Sequence, residues 1–381
     1  MKKILTLLFT ATILVSSYLP SFAQETESFK IIENKFKAQI TGIKHEECFE
    51  GELCSEYSLK IISENRRNDE IKISVTPEEQ EIFQAKNYQV GDTVLLLSSE
   101  FDGEVTYFIT DHVRSYPIYL LAGIFIFIVI IVGKGKGLSS LIGLSFSVFV
   151  LFFVVIPLIL KGYNPTIVSF IGSIFIAVSS IYFSHGFKRK STIAIIGTLT
   201  SILIVFILAH LFTNLMKLTG YGSEETIFLA SIGDTELNMK GILLASLIFG
   251  GIGILDDVTI SQVSVVKELM EAGKDLSPRK LYQKAMNIGH DHIASMVNTL
   301  FLAYASSALP LVLLLRQTNA PFEEIINNEQ IAEEILRSIV GSIGLILAVP
   351  LTTFFAVYFL SKKPVNVHSR FTTSLNSSTI E

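Results

Sequence analysis

Long apolar stretches separated by short polar connections dominate the chain after residue 115. These stretches are residues 118–132, 138–160, 166–183, 192–215, 241–266, 293–315 and 338–360. Each is close to the roughly 20 residues that an α-helix needs to cross the hydrocarbon core of a bilayer. The pattern therefore predicts an α-helical integral membrane protein with about seven transmembrane helices within residues 115–362, located in the cell (plasma) membrane.

The connections between these stretches alternate in charge. Basic residues fill those near residues 134–136, 188–190, 267–284 and 362–363, and acidic residues fill those at 224–236 and 323–329. Cytoplasmic loops of membrane proteins carry an excess of Lys and Arg, so the basic connections are predicted to be cytoplasmic. The N-terminal domain is then extracytoplasmic and the C-terminus cytoplasmic.

Both ends of the chain differ from the apolar region. Residues 1–23 combine Lys2 and Lys3 with an apolar core and a small-residue pattern that ends at Ala23. This predicts a signal peptide cleaved before Gln24, with an uncleaved anchor as the alternative. Residues 363–381 are rich in Ser, Thr and Asn and are predicted to be a disordered cytoplasmic tail.

Residues 24–114 have the pattern of a small β domain. Short, partly alternating runs occur at residues 36–43, 57–63, 70–75, 93–98 and 105–110. They predict about five strands, arranged as an OB-like barrel or a sandwich. Cys48 and Cys54 flank a glycine in a segment predicted to be exported, and we expect them to form a disulfide.

Composition narrows the class of protein and its partners. Half of the residues are hydrophobic and only 17% are charged, and the mean hydropathy of +0.52 is too high for an ordinary soluble protein. The sequence has no basic patch that would indicate nucleic acid. The expected partners are the lipid bilayer and a small solute or ion, together with an extracytoplasmic protein partner if the β domain recognises one.

Two adjacent aspartates, Asp256 and Asp257, lie within the apolar stretch 241–266. Ionisable residues inside a membrane span are costly and usually mark a pathway or a site. On a helix, Asp257 shares a stripe with Ser261, and Thr259 and Gln262 follow Asp256 on the neighbouring face. Packing between helices explains small and hydroxylated residues equally well, but it does not explain two carboxylates.

The apolar side of the same helix carries large aliphatic residues. We expect this side to face lipid and the polar side to face other helices. The aliphatic residues are Ile252, Leu255, Val263 and Val266.

A second polar cluster enters the next apolar stretch and contains Asp291, His292, Asn298 and Thr299. An aspartate near a helix start is explained by the helix dipole, whereas an amide deeper in hydrocarbon needs a partner. Because this stretch is antiparallel to the preceding one, we expect Asn298 to face Asp257 across a close contact between helices.

These two clusters carry a resemblance to a known family. Residues 255–269 (LDDVTISQVSVVKEL) and 281–315 (LYQKAMNIGHDHIASMVNTLFLAYASSALPLVLLL) resemble the YibE/F-like membrane proteins of bacteria. His290 stands where the family pattern leads us to expect arginine before Asp-His. The resemblance implies an integral membrane protein with seven or eight helices, and it does not specify a reaction.

The favoured hypothesis for function is a transporter or permease whose carboxylate site couples to a cation or a proton. One alternative is a membrane-anchored binding or assembly protein that acts through its β domain. A less favoured one is an intramembrane hydrolase, which would need a second aspartate on another span. We expect no cofactor other than a bound proton or monovalent cation. The candidate binding or ion-coupling residues are Asp256, Asp257, Thr259, Ser261, Gln262, Asp291, His292, Asn298 and Thr299.

Overall fold

A computed structural model of the chain describes residues 34–47, 53–63, 69–75, 83, 86–101, 104–232, 237–273 and 276–361. The chain divides into two compact units whose boundary lies between Ile128 and Val129, and each unit is described by itself. The predicted signal peptide and C-terminal tail lie outside the described residues. The predicted disulfide also falls outside them, because it rests on the side chains of Cys48 and Cys54.

The N-terminal unit contains the predicted strands as one antiparallel sheet. The strands are β1 (Asn34–Glu47), β2 (Leu53–Ile61), β3 (Glu70–Val75), β4 (Thr93–Phe101) and β5 (Glu104–His112). Their order across the sheet is β3-β2-β1-β4-β5. Alternating apolar residues fill its core; Ala38, Ile40, Leu59, Ile61, Val94 and Leu96 are each at most 1% exposed.

The sheet is curved into a half-barrel. Register shifts occur between Ile40 and Gly42 in β1 and between Leu95 and Leu96 in β4, and such bulges bend strands and increase their twist. The two edge strands, β3 and β5, therefore line one cleft of about 280 Å³.

The chain after β5 is helical in the described residues. The helices are α1 (Ser115–Val150), α2 (Ile156–Leu160), α3 (Pro165–His185), α4 (Arg189–Leu215), α5 (Glu224–Ile232), α6 (Met239–Ala272), α7 (Pro278–Ser307), α8 (Leu309–Gln317), α9 (Phe322–Asn327) and α10 (Glu329–Ser361). A π-helical segment, Leu151–Val155, joins α1 to α2.

Local sequence sets the beginnings of three of these helices. The side chain of Asn164 accepts a hydrogen bond at the start of α3, and that of Asn238 does so at the start of α6. Ser277 caps α7, with Pro278 in the first turn. Such caps satisfy backbone N–H groups that have no partner inside the helix.

By length and composition, five helical segments among the described residues are able to cross a membrane, or six if the bent pair of α7 and α8 is one span. The predicted number was seven. When the bent pair is counted as one span, a difference of one remains, because the first two apolar stretches form one continuous segment, Ser115–Leu160, of 46 residues. A straight helix of that length would extend about 70 Å, more than twice the roughly 30 Å of a hydrocarbon core.

The backbone of α1 leaves helical geometry at Lys134, where φ is 50° and ψ is −135°. The chain folds sharply there and brings Gly137 close to Val129. A Cβ added at Gly137 would clash with the carbonyl group of Val129. The geometry thus divides the long segment into two helical parts at Lys134.

Helix α6 lies at the centre of the helical bundle and contacts α3, α4, α7 and α10. Ile252, Leu255, Val263 and Val266 are buried in this packing and are at most 4% exposed. The expectation that these residues face lipid was wrong. Aliphatic side chains are equally well solvated by lipid tails and by other helices, so their hydrophobicity alone could not reveal which environment they occupy.

Candidate functional site

Asp256 and Asp257 line a cavity that is bounded by α1, α3 and α6 and has a volume of about 510 Å³. We call it the aspartate cavity. The Asp256 residue is only 9% exposed, and its Oδ1 atom has no hydrogen-bond partner among the described residues. Asp257 is exposed towards the cavity space. Neither carboxylate takes part in the ion pairs found in the described part of the chain.

Serine hydroxyls supply much of the remaining polar lining of the aspartate cavity. Ser140 and Ser147 come from α1, and Ser180 and Ser184 come from α3. The hydroxyl of Ser180 approaches the Asp256 carboxyl group. These serines were not among the residues predicted from the sequence, although their spacings of seven and four residues place each pair on one helix face.

Lys136 and His185 also line the aspartate cavity. Both lie near the ends of apolar stretches, and the sequence alone did not connect them with the aspartates. The charged groups whose fields reach His185 are Lys190, Asp257, Lys136 and Lys188. The cavity therefore joins two carboxylates to a cationic region.

A close contact between α1 and α3 forms one wall of the aspartate cavity. A Cβ added at Gly143 would lie only 2.6 Å from the Ser184 Oγ atom and 3.4 Å from the Ser180 carbonyl oxygen. Glycine thus lets the two helices approach until the serines face the same space, as small residues commonly do between membrane helices.

A second cavity of about 600 Å³ shares Lys136, Ser184 and His185 with the first. We call it the basic vestibule, because Lys188 and Lys190 also line it. Its further lining residues include Ser139 of α1 and Ser261 and Ser264 of α6. The shared residues make the two cavities neighbours along the same face of α6.

Thr259 lies behind the aspartates and lines neither cavity. Its hydroxyl donates to the Asp256 carbonyl oxygen at 3.1 Å and lies 2.7 Å from the Thr198 hydroxyl on α4. Gln262 is likewise buried, and its Nε2 atom donates to the Ala285 carbonyl oxygen and to Thr353 Oγ1. These two candidates therefore bind α6 to its neighbours and do not face the cavity space.

The cluster on α7 is not brought to the aspartates. Asp291, His292, Asn298 and Thr299 are exposed and are not among the residues that line the two cavities. The Thr299 hydroxyl donates to the Ser295 carbonyl oxygen within its own helix.

The expected contact between Asn298 and Asp257 is therefore not formed. Val258 on α6 instead packs with Leu300 on α7 and with Leu345 and Val349 on α10. This apolar contact turns Asp257 towards α1 and α3.

The described residues contain no group of three or more His, Cys, Asp or Glu side chains placed to hold a metal ion. A buried carboxylate in a membrane helix needs neutralisation or a ligand. Among the described residues, no aspartate from another helix lines the aspartate cavity, and an aspartyl hydrolase dyad would require one.

Comparison with known proteins agrees with the two sequence blocks around the aspartates and α7. Residues 121–362, well over half of the chain, match the model of the YibE/F-like protein family. No curated protein and no solved structure gives a significant match. The chain belongs to the YibE/F-like protein family.

Proposed function

We propose that this protein is a transporter or permease in which Asp256 and Asp257 form a proton- or cation-coupled site. The observation that carries the proposal is the Asp256 carboxyl group. It is buried on a helix apolar enough to span a membrane, and its Oδ1 atom has no hydrogen-bond partner in the described part of the chain. Asp256 lines a cavity that is large enough for a small solute.

The physical argument concerns the charge on this carboxyl group. An unpaired charge at the centre of a membrane helix costs about 2.5–3.5 kcal/mol even on the scale from membrane-insertion experiments, which gives lower values than simulations do. The cost is removed when the group binds a proton or a cation, and it returns when that ion leaves. A site with this property couples ion binding to the state of the surrounding cavity, which is what a secondary transporter needs.

The two aspartates are suited to different tasks in this scheme. Asp256 is buried and Asp257 is exposed to the aspartate cavity, so Asp257 exchanges ions with that cavity more readily than Asp256 does. Adjacent carboxylates also couple their titrations, because the charge of one disfavours the charge of the other. We assign the working role in ion exchange to Asp257.

We also propose that the two parts of the long first helical segment cross the membrane separately. The break at Lys134 and the excess length of Ser115–Leu160 support this arrangement. Together with the bent pair of α7 and α8 as one span, it yields seven crossings. The N-terminal domain is then extracytoplasmic and the C-terminus cytoplasmic, in accordance with the charges of the connections.

Reporter fusions test this topology. We expect reporters after Lys190, Lys280 and Lys363 to be cytoplasmic and reporters after Glu225 and Glu324 to be outside. A cytoplasmic reporter at Glu324 would contradict seven crossings.

The alternative of a membrane-anchored binding protein is favoured by one observation in the N-terminal unit. The edge strands β3 and β5 face each other across a cleft, and a five-stranded, partly open barrel of the OB type often binds ligands on its surface. On this alternative, the β domain recognises an extracytoplasmic partner and the helices serve as its anchor.

A proteoliposome flux screen tests the transporter proposal. The purified protein is reconstituted under an imposed proton or sodium gradient, and a solute library is screened for uptake and efflux. We expect Asp257→Asn to insert normally and to lose ion-driven flux, because the amide keeps the size of the side chain but has no charge and no titratable proton with which to bind the ion. Asp291→Asn is the matched control, since Asp291 is exposed outside both cavities.

Two results would contradict the transporter proposal. One is flux by Asp257→Asn equal to that of the parent across pH at matched abundance. The other is loss of the same activity in Asp291→Asn. Full activity of a membrane-free β domain would instead favour the binding protein.

A further inference from the structure

The basic vestibule has a one-sided charge. Its lining includes Lys136, Lys188, Lys190 and His185, and no aspartate or glutamate among the described residues lines it. The lysines come from α1, from the connection between α3 and α4, and from the first turn of α4. Three separate segments thus bring cations to one space.

These cations are not neutralised by direct ion pairs. None of the three lysines takes part in an ion pair in the described part of the chain. The charged groups that act on Lys190 are Lys188, Lys267, Lys136 and the acidic Glu268. The vestibule therefore keeps an excess of positive charge, and a cavity with low-dielectric walls concentrates the field of such charges on an anion.

Hydroxyl groups complete the lining. Ser139, Ser184, Ser261 and Ser264 lie in the same vestibule. The hydroxyls of Ser139 and Ser264 donate to the Gly135 and Ile260 carbonyl oxygens of their own helices, so Ser184 and Ser261 are the hydroxyl donors we assign to an anion. Lysine binds phosphate as a point charge, without the planar geometry that arginine imposes. A phosphate group has enough oxygen atoms to meet several ammonium and hydroxyl donors at once, whereas a carboxylate has two.

We propose that the basic vestibule is a binding site for a phosphate group, contributed either by a free phosphate-bearing solute or by a lipid headgroup. The cavity of about 600 Å³ has the size of ordinary small-molecule sites. The assignment of the phosphate-bearing molecule as cargo rests on the proposed transport function, whereas binding itself does not depend on transport.

The position of the vestibule gives this site a consequence for the aspartates. Lys136, Ser184 and His185 belong to both cavities, so an anion in the vestibule lies beside the aspartate cavity. Its negative charge favours a bound proton or cation at Asp257 over an empty carboxylate. Phosphate binding and ion binding then support each other, which is the coupling that symport requires.

Binding of inorganic phosphate tests the site directly. The full-length protein is placed in nanodiscs of zwitterionic phosphatidylcholine, and radiolabelled phosphate binding is measured at constant ionic strength. In a parallel arm, the protein is placed in nanodiscs with defined fractions of anionic phosphatidylglycerol and is then extracted and purified in detergent. The amount of phosphatidylglycerol that stays bound to the protein is measured. The first arm detects a free solute and the second a lipid headgroup.

The test variant is Lys136→Gln/Lys188→Gln/Lys190→Gln. The control is Arg279→Gln/Lys280→Gln/Lys284→Gln, which removes three exposed cations from the start of α7 and leaves the vestibule unchanged. A third protein, Lys136→Arg/Lys188→Arg/Lys190→Arg, keeps the charge and guards against loss of folding. All variants are compared at equal monodispersity.

We expect the test variant to bind phosphate, or retain phosphatidylglycerol, at least about ten-fold more weakly than the parent, because each lost charge-assisted contact is strong. The control and the arginine variant should bind within about two-fold of the parent. Equal binding by parent and test variant in both arms would overturn the site, as would equal losses in test and control variants. If the protein binds phosphate but transports no solute, the phosphate site is supported and the transporter proposal is contradicted.

Discussion

The buried amide of Gln262 provides the sharpest test of how the helices around the site are held together. The residue is 4% exposed, and its Nε2 atom donates to the Ala285 carbonyl oxygen at 3.0 Å and to Thr353 Oγ1 at 2.7 Å. It thus links α6 to α7 and α10. A Cβ added at Gly289 would lie 3.2 Å from Nε2, so the amide occupies a tight space between the three helices.

Gln262→Leu removes both donors and nearly keeps the side-chain volume. Interhelical hydrogen bonds in membrane proteins contribute about 0.6 kcal/mol on average, so the two together are worth about 1.2 kcal/mol, or a five- to ten-fold change in the unfolding equilibrium. The penalty stays near this sum, because the Thr353 hydroxyl keeps its own bond to the Val349 carbonyl oxygen. Gln262→Glu should cost more, about 2.5–3.5 kcal/mol, since it buries a charge.

Reversible unfolding in mixed micelles, followed by circular dichroism, measures these differences in free energy. The expected order of stability is parent, then Gln262→Leu, then Gln262→Glu. Gln283→Leu on the exposed face of α7 is the matched control and should unfold like the parent. The reasoning is refuted if Gln262→Leu is as stable as the parent, or if the glutamate variant equals the leucine variant at neutral pH.

Three further predictions concern other parts of the molecule. Gly143→Ala should cost about 1–3 kcal/mol in unfolding free energy by overpacking and should be partly rescued by Ser184→Ala, which removes the nearest atom; an additive double variant would contradict this contact. Burial, reinforced by the charge of Asp111, raises the pKa of Tyr88 to about 12, so stability from its neutral phenol is complete below pH 10 and is lost as the pH rises through about 12. Parent and Tyr88→Phe should therefore show equal phenolate absorbance at about pH 11. If the parent instead shows the additional absorbance of one ionised tyrosine at that pH, the raised pKa is contradicted. The hydrogen bond from Arg114, with a 2.9 Å ion-pair distance, holds the pKa of Asp111 at about 2; the stability it contributes is present above the ordinary value of 3.8 and is lost as the pH falls towards 2. In Arg114→Gln, pepsin should begin to cleave β5 at a higher pH than in the parent. An unchanged pH of onset would show that the pair does not stabilise the sheet.

Much of the secondary structure was determined by the sequence alone, because it depends on neighbours along the chain. Alternating apolar residues identified all five strands. Ser277 followed by Pro278, a local capping pattern, coincides with the start of α7. The break at Lys134 also lies between two apolar stretches that the charge pattern had separated. Periodicity and capping act over a few residues, and the printed sequence displays such relations directly.

Which surfaces of the helices meet was decided only by the tertiary structure. Leu255 is as apolar as a lipid-facing residue, yet it is buried, because lipid tails and helix surfaces solvate aliphatic groups alike. Asp257 meets a cavity lined by Ser184 and His185, while Asn298, its expected partner, is exposed elsewhere. The polar stripe of α6 is visible in the sequence. Which helices face this stripe depends on close contacts between distant segments, such as Gly143 against Ser184. Such contacts depend on shape more than on hydrophobicity.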